Sequence, residues 1–195
     1  DGKAAKLSEI WRMKQLQYTW LRSLMDDYAD FWTVTGEALD YALDAVAISD
    51  ESIRSKLLNA YLTLDAYPEV PEMLEKLKSA GLRTAILSNG SPEMLKAAVE
   101  GAGIEALLDA SLSVEDVGIY KPHRSVYQLA VDRLGFPAER ISFQSSNSWD
   151  AAGAAHFGFR VAWCNRFGQP DEHLPARPDV QIKTLAELPP LLGLE

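Results

Sequence analysis

The sequence carries one cysteine, Cys164, among 195 residues. A lone thiol in an apolar, strand-like run has no disulfide partner and suits a reducing compartment, so a cytoplasmic protein is expected. No apolar run approaches the roughly 18 residues of a membrane span, and the first residues do not read as a secretory leader. Basic charge is scarce. Nineteen Lys and Arg against 28 Asp and Glu leave a net charge of −9, with no clustered basic stripe. That argues against nucleic acid as a partner, as the lack of a long apolar run argues against a membrane. Internal repeats and low-complexity segments are also absent. What is present, 47% hydrophobic and 24% charged residues, suits a globular protein with one sizeable core and a small appendage. An acidic protein that takes an anionic substrate must build a local positive site, which makes individual basic residues informative.

Strand patterning is missing from the first third. Residues 5 to about 32 read as one long helix with two apolar stripes, Leu7-Trp11-Tyr18-Leu21-Met25-Tyr28 and Ile10-Leu16-Trp20-Leu24-Phe31. A helix greasy on two sides must be covered on two sides, by core packing or in a dimer. Thr35 is expected to cap a second helix through Ala45, and Asp50 a third reaching about Leu64. Tyr67-Pro68-Glu69-Val70-Pro71 is the break, giving a helical domain over 1–67 and a second domain over 68–195. In the latter, helices over 71–80, 92–101, 124–134, 150–157 and 184–193 alternate with strands over 83–88, 110–114, 141–144, 159–164 and 180–182. That alternation predicts an α/β fold with a parallel, doubly wound sheet.

The organising stretch is Thr84-Ala85-Ile86-Leu87-Ser88-Asn89-Gly90-Ser91-Pro92. An apolar run, read as a strand buried on both faces, stops at polar turn residues. Ser91, Pro92 and Glu93 then suit the N-cap, first position and first turn of a helix. In an open α/β sheet, such strand ends bind anions. Three of them should meet at the carboxyl edge: Ser88-Asn89, Lys121, and Ser145 through Asp150. Each has a plain alternative, since Ser88 and Asn89 could cap a helix, Lys121 could be a solvated loop residue, and Asp150 could be an N-cap.

Taken in order, Ser88-Asn89-Gly90, Lys121-Pro122 and a strand ending at Asp150 resemble the haloacid dehalogenase superfamily, with its Rossmann-like core and helical cap. The run Trp11-Arg12-Met13-Lys14-Gln15-Leu16-Gln17-Tyr18-Thr19-Trp20-Leu21-Arg22 looks like the first cap helix of the L-2-haloacid dehalogenases within it. Tyr120-Lys121-Pro122 with Tyr127, and Ser145-Ser146-Asn147-Ser148-Trp149-Asp150, match the same subfamily. The superfamily's phosphatases hold magnesium partly with a carboxylate where Ser145-Ser146 stands here, and a hydroxyl is a poor ligand for a hard dication. The resemblance therefore implies no metal and no organic cofactor.

The implied reaction hydrolyses an L-2-haloacid to a D-2-hydroxy acid through an aspartyl ester. Arg12 and Asn89 would cradle the halide, Ser88 would hold the substrate carboxylate, and Lys121 would anchor the nucleophile's charge. Tyr127, Ser145, Asn147 and Asp150 would order the polar network, and Leu16, Phe31 and Trp149 would line an apolar pocket. Met13 stands where many relatives carry a polar residue. One departure from the pattern stands out. The family's nucleophile lies on its first strand, within an Asp-x-Tyr-Gly-Thr-like motif, and Asp1-Gly2-Lys3-Ala4 is not that motif. The sequence reads as starting about 30 residues late, with a gap expected in the sheet. The rival readings are a metal-dependent phosphatase of the same fold and a non-catalytic chain acting as an interaction module. A homodimer is expected from the doubly apolar helix.

Overall fold

A computed structural model describes residues 2–194; Asp1, set aside above as a nucleophile, lies outside the described residues. The chain forms two compact units. The first comprises Asp1–Asp65, Ser88–Gly103 and Ser113–Tyr120, and the second Ala66–Leu87, Ile104–Leu112 and Lys121–Glu195.

The first unit opens with α1 (Gly2–Leu24), α2 (Phe31–Ala45) and α3 (Glu51–Asn59), followed by a 3-10 turn over Ala60–Leu62. The long helix expected through residue 32 ends eight residues earlier. Asp26 adopts a left-handed φ of 53°, and Asp30 caps α2 by accepting from Thr33 N at 3.0 Å. Apolar spacing runs on across this break, but spacing cannot sense a capping carboxylate. Thr35 is not a cap; it lies inside α2 and donates its hydroxyl to Phe31 O at 2.6 Å. Asp50 does cap α3, accepting from Ser52 N and Ile53 N. The core joins Leu7 of α1 to Leu39, Ala42 and Leu43 of α2 and to Leu58 of α3. Further along α1 the fully covered positions are polar, Gln15 and Thr19 at 0% exposure. Leu24 and Met25 stay exposed at 81% and 63%. The helix is thus covered along one seam rather than two. α5 (Pro92–Ala102) also belongs to this unit.

The second unit contains α4 (Val70–Ser79), β1 (Ala85–Ser88), β2 (Ala110–Ser113), α6 (Arg124–Leu134), β3 (Ser142–Ser145), α7 (Ser148–Phe157), β4 (Arg160–Cys164), β5 (Val180–Ile182) and α8 (Leu188–Leu191). The last residues of β1 and β2 belong to the first unit. β3, β4 and β5 form a parallel sheet with Ser142 opposite Arg160 and Ala162 opposite Val180. β1 and β2 form a separate two-stranded sheet. Among the described residues, β1 pairs only with β2 and β3 only with β4, so each has an edge with no strand beside it. This explains a departure from expectation: β1 and β3 are part-exposed along their length, whereas central β4 is buried from Val161 to Cys164. Burial raises the pKa of the Cys164 thiol. The last helix is also shorter than expected. Thr184 and Glu187 close a capping box on a 3-10 turn, and α8 spans only four residues after it.

One ion pair ties distant parts of this unit. Glu69 Oε1 lies 2.6 Å from Arg166 Nη2 and accepts from Thr184 Oγ1 at 2.7 Å. The Arg166 guanidinium also sits 3.7 Å from the centre of the Tyr67 ring. Among the described residues, no helix is long and apolar enough to cross a membrane.

Candidate active site

In the second unit the site is built where β3 hands over to α7. Ser145 ends the strand, and its hydroxyl accepts from Asn147 N at 3.1 Å, closing a tight turn. Asn147 takes the N-cap position of α7, so Asp150 is not a cap but a carboxylate inside the first turn, 3% exposed. Negative charge there is favoured by the helix dipole. Its two oxygens are divided between two partners. Oδ2 accepts from Lys121 Nζ at 3.0 Å and Oδ1 from the Tyr127 hydroxyl at 2.8 Å. Lys121, 6% exposed, is no solvated loop residue; its ammonium also lies 4.9 Å from the centre of the Phe143 ring.

Tyr127 is fully buried, with its ring packed against Phe143, Phe157 and Phe159. Burial, and then the charge of Asp150, hold its phenol well above the ordinary range, so it stays a donor. α7 comes close enough for these contacts because residue 153 is glycine: a β-carbon there would meet Pro122 and Tyr127. Trp149, part-buried, is the second residue of α7.

The first unit holds the other candidates. Ser91, not Ser88 or Asn89, caps α5 by accepting from Met94 N at 3.3 Å. Ser88 Oγ accepts from Gly90 N at 3.0 Å, and Ser113 Oγ donates to Gly90 O at 2.7 Å, which shapes the Ser88–Gly90 loop. Asn89 is part-buried within it. Arg12 is exposed on α1, with Nη1 donating to Gln15 Oε1 at 3.2 Å. Leu16 is part-buried one residue beyond Gln15. Phe31, the first residue of α2, is buried with its ring 6.1 Å from that of Tyr120.

Thus Lys121, Tyr127 and Asp150 come together, and Ser145 with Asn147. Arg12, Leu16, Phe31, Ser88 and Asn89 belong to the other unit. Sequence reasoning did not single out Phe143 or Gly153. The available signal for the latter was a glycine within the Ala-rich run of α7. Among the described residues, no three His, Cys, Asp or Glu side chains gather as a metal site.

Residues 6–158 match the haloacid dehalogenase-like hydrolase family. The chain is 48% identical over 193 residues to (S)-2-haloacid dehalogenase 4A of Burkholderia cepacia, covering 98% of this chain and 84% of that protein. It is 45% identical over 192 residues to (S)-2-haloacid dehalogenase 1 of Pseudomonas sp. strain CBS-3, covering 98% and 85%. A solved structure of the L-2-haloacid dehalogenase of Xanthobacter autotrophicus with chloropropionic acid covalently bound superposes with a TM-score of 0.89 at 38% identity, covering 96% of this chain and 85% of that one. The chain therefore belongs to the haloacid dehalogenase-like hydrolase family, among the (S)-2-haloacid dehalogenases.

Proposed function

We propose that this protein hydrolyses L-2-haloacids to D-2-hydroxy acids. A carboxylate oxygen attacks C2 as the carbon–halogen bond breaks, and the bonding pair leaves with the halide. Water then attacks the resulting ester and frees the hydroxy acid with C2 inverted. The attacking carboxylate is that of the aspartate which the family resemblance places in an Asp-x-Tyr-Gly-Thr-like motif. Arg12 and Asn89 take the halide, Ser88 takes the substrate carboxylate, and Lys121 balances the nucleophile's charge. Asp150 and Tyr127 hold Lys121, with Ser145 and Asn147 ordering the turn beside them. Leu16, Phe31 and Trp149 supply apolar surface.

One observation carries the dehalogenase reading over a phosphatase. At the end of β3 the side chains are hydroxyls, and that of Ser145 is engaged in a turn with Asn147 N. Neither Ser145 nor Ser146 offers the carboxylate that a magnesium-dependent phosphoryl transfer asks for. We further assign the protein to the cytoplasm, supported by a single buried cysteine, and to a homodimer, supported by the exposed Leu21, Leu24 and Met25 on and just after α1.

The test is halide release by the full-length enzyme from each enantiomer of 2-chloropropionate, with and without a chelator. Release from the L form alone, unaffected by chelator and yielding D-lactate, is expected. Phosphate release from an aryl phosphate that requires added magnesium, with no halide release, would replace this reading by the phosphatase.

A further inference from the structure

The covered seam of α1 contains a side chain that hydropathy would place in solvent. Gln15 is fully buried. Its Nε2 donates to Thr35 Oγ1 at 2.9 Å and to the Tyr61 hydroxyl at 3.1 Å, which uses both amide hydrogens. The Thr35 hydroxyl hydrogen is committed to Phe31 O, so towards Gln15 that oxygen can only accept. The orientation of the amide follows: Nε2 must face Thr35, and Oε1 is turned to Arg12 Nη1 at 3.2 Å. Trp11 closes the group, donating Nε1 to Thr35 O at 2.9 Å with its ring 5.3 Å from that of Tyr61. A buried amide with both hydrogens satisfied cannot rotate without leaving polar groups unpaired, at a cost of about 1–3 kcal/mol each. It is a rigid acceptor for the Arg12 guanidinium.

We propose that Gln15 is a positioning residue for Arg12. Locked by Thr35 and Tyr61, it holds the guanidinium where negative charge builds on the departing halide, and so helps set which halides leave readily. The inference rests on the halide role given to Arg12 above. A neutral amide suits the task, because it orients the guanidinium without cancelling its charge as a carboxylate would. Preorganised donors of this kind act on the transition state, and a displacement of ~1 Å can cost on the order of 100-fold. Chloride, the poorer leaving group, depends on such stabilisation more than bromide.

The experiment compares kcat/KM, which reports steps through carbon–halogen cleavage, for L-2-chloropropionate and L-2-bromopropionate in the full-length enzyme. Gln15→Met should lower the chloride value by roughly 10- to 100-fold and the bromide value by clearly less. In an Arg12→Ala background, Gln15→Met should change neither. Tyr61→Phe removes one acceptor from Gln15 with little risk to folding, and should lower the chloride-to-bromide ratio by about threefold, the scale of one lost hydrogen bond. Equal losses for both halides, losses that persist without Arg12, or unchanged ratios in both Gln15→Met and Tyr61→Phe overturn the proposal. Wild-type activity in Arg12→Ala alone would instead remove the halide role of Arg12, and this inference with it.

Discussion

A β-carbon built on Gly153 would lie 2.6 Å from the phenol oxygen of Tyr127. The same carbon would lie 2.6 Å from Pro122 Cβ, so two neighbours on the α6 side hold that space. In an open helix, Gly→Ala would be worth about 1 kcal/mol in favour of alanine. Here overpacking, at about 1–3 kcal/mol, should win. Gly153→Ala is expected to lower stability in urea titration and to lower turnover, since Tyr127 cannot retreat without loosening its bond to Asp150. A net gain in stability would show that the phenol has room to move.

Arg12→Ala should reduce turnover of L-2-chloropropionate by at least ~100-fold, the scale for removing one key transition-state donor. Arg12→Lys should fall well short of rescue, because an ammonium lacks the planar, weakly hydrated fork. Arg22, on the same helix, is the control. It pairs with Asp27 and takes both oxygens of Glu37, so Arg22→Ala should cost about 1 kcal/mol of stability and leave turnover intact. Chloride release and thermal unfolding of the same preparations separate the two effects.

Asp150→Ala would take the carboxylate away from the buried Lys121 ammonium, and breaking a buried pair in this way costs about 3–5 kcal/mol. Replacing both partners with apolar residues, Lys121→Met with Asp150→Leu, should recover much of that stability and none of the turnover. A double variant no more stable than Asp150→Ala would mean that the pair is not the dominant contribution. Denaturant unfolding of the three proteins decides.

The Glu69 carboxyl is held down to about 2 by the Thr184 hydroxyl and, after it, by Arg166, against an ordinary value of 4.5. A depressed folded value means that its stabilisation is complete above about pH 4.5 and drains away as pH falls towards 2. Glu69→Gln should therefore flatten the dependence of unfolding free energy on pH over that interval. Identical slopes in variant and wild type would assign the acid lability elsewhere.

Local signals were legible where one residue decides the backbone. Ser91-Pro92 opened α5 and Asp50 capped α3, as read from their types alone. The end of α1 was not legible, because apolar spacing continues past Leu24 while Asp26 and Asp30 quietly break and restart the helix. Strand order suggested that Lys121 and Asp150 lie near one another, but their ion pair was not legible, since 29 residues separate them. Gln15 escaped because patterning assigns a polar residue to solvent. Its burial depends on Thr35 and Tyr61, 20 and 46 residues away, which no local window contains.

Cys164 turns the β3–β4–β5 sheet into its own reporter. It is the chain's single sulfhydryl, 2% exposed, and burial keeps its thiol in the unreactive protonated form. A maleimide or disulfide reagent added to the native protein can reach it only when β4 is uncovered. The labelling rate is then a clock for how often that sheet opens.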